Sequence, residues 1–123
     1  MKNILINLTN HPSENWQPGQ RKAAVGKWNV ICDVPFPCVS PEWEREKIYS
    51  EAKRMVNKIS AMKPEAVLCQ GEMCMTAALV RMFQEKGILV YAATTDRQSA
   101  EYIKPDGTVE KRSTFHFVQF RQY

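Results

Sequence analysis

Apolar residues come in short unbroken runs along this chain, and polar punctuation separates them. The first run, Lys2-Asn3-Ile4-Leu5-Ile6-Asn7-Leu8, reads as a strand. Thr9-Asn10-His11-Pro12 stops it, because a proline disfavours helical backbone at the residue before it. A short helix containing Ala23, Ala24 and Val25 follows, opening at Ser13 or at Pro18, with Gly26 as its stop. Trp28-Asn29-Val30-Ile31-Cys32-Asp33-Val34 is the second strand. Pro35-Phe36-Pro37 then forms a rigid apolar loop that cannot continue a ladder.

Ser40-Pro41-Glu42 has the layout of a helix entry: cap, first-turn proline, first-turn acid. A helix is predicted over residues 41–62, where Ile48, Ala52, Met55, Ile59 and Met62 make one apolar stripe. Lys47, Lys53, Arg54 and Lys58 fall mostly off that stripe, on a solvated face. A third strand over residues 66–70 runs through Gly71 into a helix over residues 72–86. Met75, Ala78, Leu79, Met82 and Phe83 form that helix's buried face, and Gly87 is its stop. The fourth strand, Ile88-Leu89-Val90-Tyr91-Ala92-Ala93, is expected to exit at Thr94-Thr95-Asp96-Arg97. Residues 100–103 and 108–120 then flank the turn Pro105-Asp106-Gly107 as a closing hairpin.

Alternation of strands and helices with short joints predicts an α/β fold in three layers, Rossmann-like, over residues 1–123 as a single domain. Its sheet is mostly parallel and carries a C-terminal antiparallel β-hairpin at one edge. Loops that follow parallel strands emerge at one end of the sheet, where open α/β folds bind ligands. Four joints would meet there: residues 9–12, 35–37, 70–74 and 94–97. The joint at Gly71 also offers a helix N-terminus, with free N–H groups and the positive end of a helix dipole, which attracts anions.

Composition narrows this without redirecting it. A charged fraction of 24% and an apolar fraction of 44% are globular values. The net charge of +4 is compatible with a polyanionic ligand but too small to grip duplex nucleic acid. No apolar run reaches the roughly eighteen residues of a membrane span, and the N-terminus runs straight into a strand pattern without a signal-peptide layout. The expected location is cytoplasmic. Cys32, Cys38, Cys69 and Cys74 are then thiols, and their spacing does not match zinc-binding pairs, so no metal or cofactor is expected. Cys32 and Cys69 read as small buried hydrophobes.

Each candidate group has an ordinary structural use beside its chemical one. Gly71 belongs to neither a Walker loop nor a GxGxxG loop, and a strand-to-helix turn alone explains a glycine. Cys74 near a helix start could be an activated thiol, but no base is evident nearby in sequence. Residues 94–97 would cap a turn or, through Arg97, contact a phosphate or a base edge. His11 suits a hydrogen-bonded turn as well as a catalytic role, and His116 reads as structural. Trp16 and Phe36 offer either stacking faces or core packing.

Taken together, Leu8-Thr9-Asn10-His11-Pro12, Asp33-Val34-Pro35-Phe36-Pro37, Gly71-Glu72-Met73 and Thr94-Thr95-Asp96-Arg97 give the chain a resemblance. It is similar to the small stand-alone CARF-like proteins of type III CRISPR systems, which serve antiviral defence. That resemblance implies a homodimer binding a cyclic oligoadenylate second messenger across its two-fold axis. Some of those proteins are ring nucleases that cut the ring, and others only bind it. Carried onto this sequence, each half-site would comprise Thr9, Asn10, His11, Gly71, Glu72, Met73, Thr76, Thr94, Thr95 and Arg97. Cleavage would be metal-independent attack by a ribose 2′-hydroxyl, with Arg97 stabilising the transition state and His11 or Glu72 moving a proton. A non-catalytic nucleotide-binding or protein-interaction module is the alternative.

Overall fold

The computed structural model describes residues 3–123; Lys2, placed in the first strand by pattern, lies outside the described residues. A single sheet of five strands has the order β2-β1-β3-β4-β5, with β1 Ile4–Thr9, β2 Val30–Pro35, β3 Ala66–Cys69, β4 Leu89–Ile103 and β5 Val109–Gln122. β1 pairs in parallel with β2 and β3, and β3 pairs in parallel with β4. Only β4 and β5 run antiparallel. The expected α/β architecture, with its closing hairpin, is the one observed.

Strand alternation explains the layers. On one face, residues such as Leu5, Ala66, Leu68 and Tyr91 pack with Ala24 and Trp28 beside α1 (Pro18–Lys27). Ile6, Leu8, Val67, Cys69 and Val90 point the other way. They meet Ile48, Ala52, Val56 and Ile59 of α2 (Arg45–Ser60) and Met75, Leu79 and Phe83 of α3 (Met73–Glu85). A helix layer therefore covers each face, and β1 and β3 are apolar almost throughout because both of their sides are buried. β1 leads leftward to β2 through α1, whereas β2 returns through α2 to β3 on β1's other side. The winding thus reverses between β1 and β3, the topological switch point where such sheets leave a crevice.

Four boundaries differ from the sequence pattern. β2 starts at Val30, because Trp28 still caps α1, and it runs through Pro35, which pairs with Thr9; on an edge strand the missing N–H of a proline can face away from the ladder. α2 starts at Arg45, because the Ser40 hydroxyl accepts from the Glu42 N–H and the Ser40 carbonyl from the Trp43 N–H. That turn brings Trp43 onto the core before the helix begins. The segment after β1 uses both of its possible starts, a 3₁₀ turn at Ser13–Asn15 and then α1 from Pro18, and Gly26 lies inside the helix and does not stop it. The largest difference is β4. Residues 94–97 are not a loop but part of one strand running to Ile103, since β5 pairs along its whole length. Thr94 and Thr95 are β-branched and suit that conformation. A Pro105-Asp106-Gly107 turn closes the hairpin, with Gly107 at φ 86° and the Asp106 carboxylate accepting from the Thr108 N–H and hydroxyl.

Gly71 has a packing reason. A β-carbon there would lie 2.5 Å from the Phe36 ring, which is itself buried beneath the joint. Gly71→Ala should therefore destabilise the protein by about 1–3 kcal/mol. Adding Phe36→Leu should recover part of that loss in urea unfolding; an unchanged midpoint for Gly71→Ala alone would show that the ring gives way freely.

Candidate functional site

At the switch point the chain buries a polar side chain. Asn7, in the middle of β1, is only 1% exposed, and an amide in that place must find partners. Its Nδ2 donates to the Asp33 carboxylate at 2.8 Å and to the His11 carbonyl at 2.9 Å, and its Oδ1 accepts from the Thr9 hydroxyl at 2.9 Å. Asp33 faces Asn7 in the β1–β2 register. It also accepts from the Ser13 N–H at 3.2 Å and the Ser13 hydroxyl at 3.0 Å. The Trp16 indole N–H closes on the His11 carbonyl at 3.1 Å. One amide and one carboxylate thereby fold residues 9–16 into a fixed rim.

Beside this rim is an open cavity of about 440 Å³ on the α1 side of the sheet. Leu68 and Ala93 form its floor. Thr9, Asn10, His11, Asn15 and Trp16 line one side, Gln17 and Gln20 of the α1 start another. Gln70, Gly71, Thr95, Phe115 and Phe117 complete it. Its size lies within the usual range for a small-molecule site. Among the described residues no lysine, arginine, aspartate or glutamate lines it, so amides and aromatic rings dominate its chemistry.

Two glutamines build the wall by imitating strands. Gln70 accepts from the Ala93 N–H at 2.9 Å and donates to the Ala93 carbonyl at 3.3 Å, capping β4 where β3 has ended. Gln17 accepts from the Phe117 N–H at 2.9 Å and donates to the Phe115 carbonyl, closing the outer edge of β5. Between them the base of the hairpin is clamped, and Phe115 and Phe117 are held over the cavity. The side-chain amides of Asn10, Asn15 and Gln20 have no hydrogen bond to the protein among the described residues, which leaves their donors and acceptors for a ligand.

Of the residues expected to form a half-site, Thr9, Asn10, His11, Gly71 and Thr95 share this cavity. Thr9 is there as a brace, its hydroxyl engaged with Asn7 and with the His11 N–H. Met73 and Thr76 line a separate hollow with Gln84 and Tyr123, on the far side of Gly71. Glu72 turns back on its own helix: its carboxylate accepts from the Cys74 N–H at 3.3 Å and the Met75 N–H at 2.7 Å. The N-terminus of α3 is thus filled by the chain's own anion, which weakens it as a phosphate cradle. Thr94 spends its hydroxyl on the Gln119 carbonyl and N–H at a β-bulge. Arg97 stands two cross-strand pairs beyond Thr95 on the hairpin and donates to the Ser113 hydroxyl at 3.1 Å, off the cavity wall.

Sequence reasoning passed over Asp33, Gln17, Gln70, Phe115 and Phe117 as site residues. Asp33 had a signal, a carboxylate inside an apolar strand; the glutamines had none, since only the fold places them against strand edges. The cysteines divide as burial dictates: Cys38 and Cys74 are exposed, while burial in β3 pushes the Cys69 thiol up to about 12. No helix among the described residues is long and apolar enough to cross a membrane.

Comparison with family models matches residues 3–121 to the Uncharacterized protein MJ1673 family, and the chain belongs to it. Comparison with curated proteins finds no match.

Two measurements check this geometry. Asn7→Ala leaves the Asp33 carboxylate short of a donor, and should lower stability by about 2–3 kcal/mol and speed amide exchange across residues 10–13. Iodoacetamide at pH 8 should label Cys38 and Cys74 while sparing Cys69 until the protein is unfolded, since a raised thiol pKa leaves almost no thiolate there.

Proposed function

We propose that this protein binds a cyclic oligoadenylate second messenger as a homodimer, with one adenine seated in the cavity of each protomer. The observation that carries this reading is the wall itself. Among the described residues it has free amides at Asn10, Asn15 and Gln20, aromatic faces at Trp16 and Phe115, and no fixed charge. Side-chain amides pair with the N6 and N7 edge of adenine, and aromatic rings stack on any base. A bare phosphate would find little here, and a neutral heteroaromatic ring finds both kinds of contact. The place agrees with the chemistry, for doubly wound sheets take their ligands at the switch point.

The resemblance in sequence to CARF-like proteins supplies the choice of a ring-shaped, two-fold ligand, which suits matching half-sites in a C₂ dimer. Phosphates of such a ring would stay outside the cavity, near solvent. Cleavage by an in-line 2′-hydroxyl would draw on His11, whose imidazole is the titratable group on the wall. Glu72, committed to its helix cap, and Arg97, held on the hairpin, are not carried into this reading.

Calorimetry with cyclic tri-, tetra- and hexa-adenylate tests it, with chromatography of the products after prolonged incubation. One ring should bind, and Phe115→Ala or Asn10→Ala should weaken it by about tenfold or more. Loss of cleavage in His11→Ala with binding retained would assign the proton transfer. Absence of binding by all three rings overturns the proposal.

A further inference from the structure

Beyond residue 93 the hairpin leaves the body of the sheet, and its two long edges are treated differently. β3 pairs with β4 only at Leu89, Val90 and Tyr91 on the β4 side. Gln70 covers Ala93, after which residues 95–103 carry an open edge. Because backbone groups alternate along a strand, the N–H and C=O of Thr95, Arg97, Ser99, Glu101 and Ile103 point the same way as those of Ala93, outward. The Phe117 N–H, bonded to Gln17 on the opposite edge, fixes the same parity through the Thr95–Phe117 pair.

Proteins blunt exposed edges with bulges, lysines, prolines or a covering group. β5 shows such devices: Gln17 covers it, the bulge beside Thr94 disrupts it, and Lys111 lies along it. Residues 95–103 of β4 contain no lysine, proline or glycine and no bulged residue, and the charges they do carry, Asp96, Arg97 and Glu101, are of both signs. A two-stranded ribbon alone is marginal in water, and a third strand is what ordinarily steadies it.

The charges on this edge say which strand that is. Arg97 and Glu101 lie on one face, two to either side of Ser99, and neither makes an ion pair within the chain among the described residues. We infer that the β4 edge pairs antiparallel with the β4 edge of a second copy, centred on Ser99, joining two sheets into one. In that register Arg97 faces Glu101 of the partner subunit twice over, and Thr95 faces Ile103. No like charges are opposed. Centring on Arg97 or on Glu101 would set each against its own copy, and centring on Gln98 or Ala100 leaves Arg97 opposite Ser99 or Ile103. The chosen register forms about ten backbone hydrogen bonds, as many as a whole interface of ordinary size. Both cavities then open on the same face of the joined sheet, related by the two-fold axis.

This interface rests on the strand edge and not on the ligand reading, so it is tested without any nucleotide. Sedimentation of the full chain over a range of micromolar concentrations should show a monomer–dimer equilibrium. Arg97→Glu and Glu101→Arg should each raise the dissociation constant by about tenfold, and the two together should restore it, because opposite signs again face each other. Paired residues at such a position stand about 5.5 Å apart, within reach of a disulfide. In a background with Cys38→Ser and Cys74→Ser, mild oxidation should therefore cross-link Ser99→Cys dimers and leave Thr95→Cys uncross-linked. A chain that stays monomeric overturns the proposal. So does a dimer indifferent to both charge reversals, or one that cross-links through position 95 and not 99.

Discussion

An amide buried in a strand has to be answered by the structure around it, and the answer to Asn7 shapes much of this protein. Apolar packing would let β1 and β2 slide by two residues with little loss, but the Asn7–Asp33 pair singles out one register. The same amide holds the His11 carbonyl, and through it the Trp16 indole, so the chain leaving β1 curls back over the sheet and not away from it. Stability and site geometry depend here on the same few hydrogen bonds. Low dielectric strengthens them and makes each one expensive to leave unmade.

Charge placement separates this crevice from the usual phosphate-binding form of the fold. A glycine-rich joint normally exposes its helix N-terminus to the ligand. Here Glu72 fills that position, and Gly71 is small because the Phe36 ring lies against it. What remains at the end of the sheet is a wall of amides and rings, which offers hydrogen-bonding and stacking groups in place of charge. The mild positive balance of the chain is spread over exposed helix faces, such as Lys47 and Arg54 around Glu51, and is not concentrated at the cavity.

The sequence carried most of the architecture because strands buried on both faces must be apolar throughout, and helices on a sheet must be striped. Runs such as 66–69 and 88–93 and the stripe of α2 satisfy both conditions. It misplaced residues 94–97 for a physical reason: a ribbon standing in solvent buries no face, so nothing in its hydrophobic pattern separates strand from loop. The candidate site was half legible. Asn10, His11 and Gly71 come from local turn chemistry, which a chain displays in order. Gln17, Phe115 and Phe117 meet across about a hundred residues of sequence, and only β4–β5 pairing brings them together.

The bulge beside Thr94 has a consequence for how this family can vary in length. Val118 is the unmatched residue of the ladder, standing between the Gln119 and Phe117 pairings. With it present, Phe115 and Phe117 present their rings to the cavity; without it, strand parity would turn both rings to the opposite face. Relatives should therefore gain and lose residues freely around the 104–108 tip, where a longer or shorter loop only changes reach. Between that tip and the body of the sheet, length is counted residue by residue, and an odd change would turn the aromatic wall inside out.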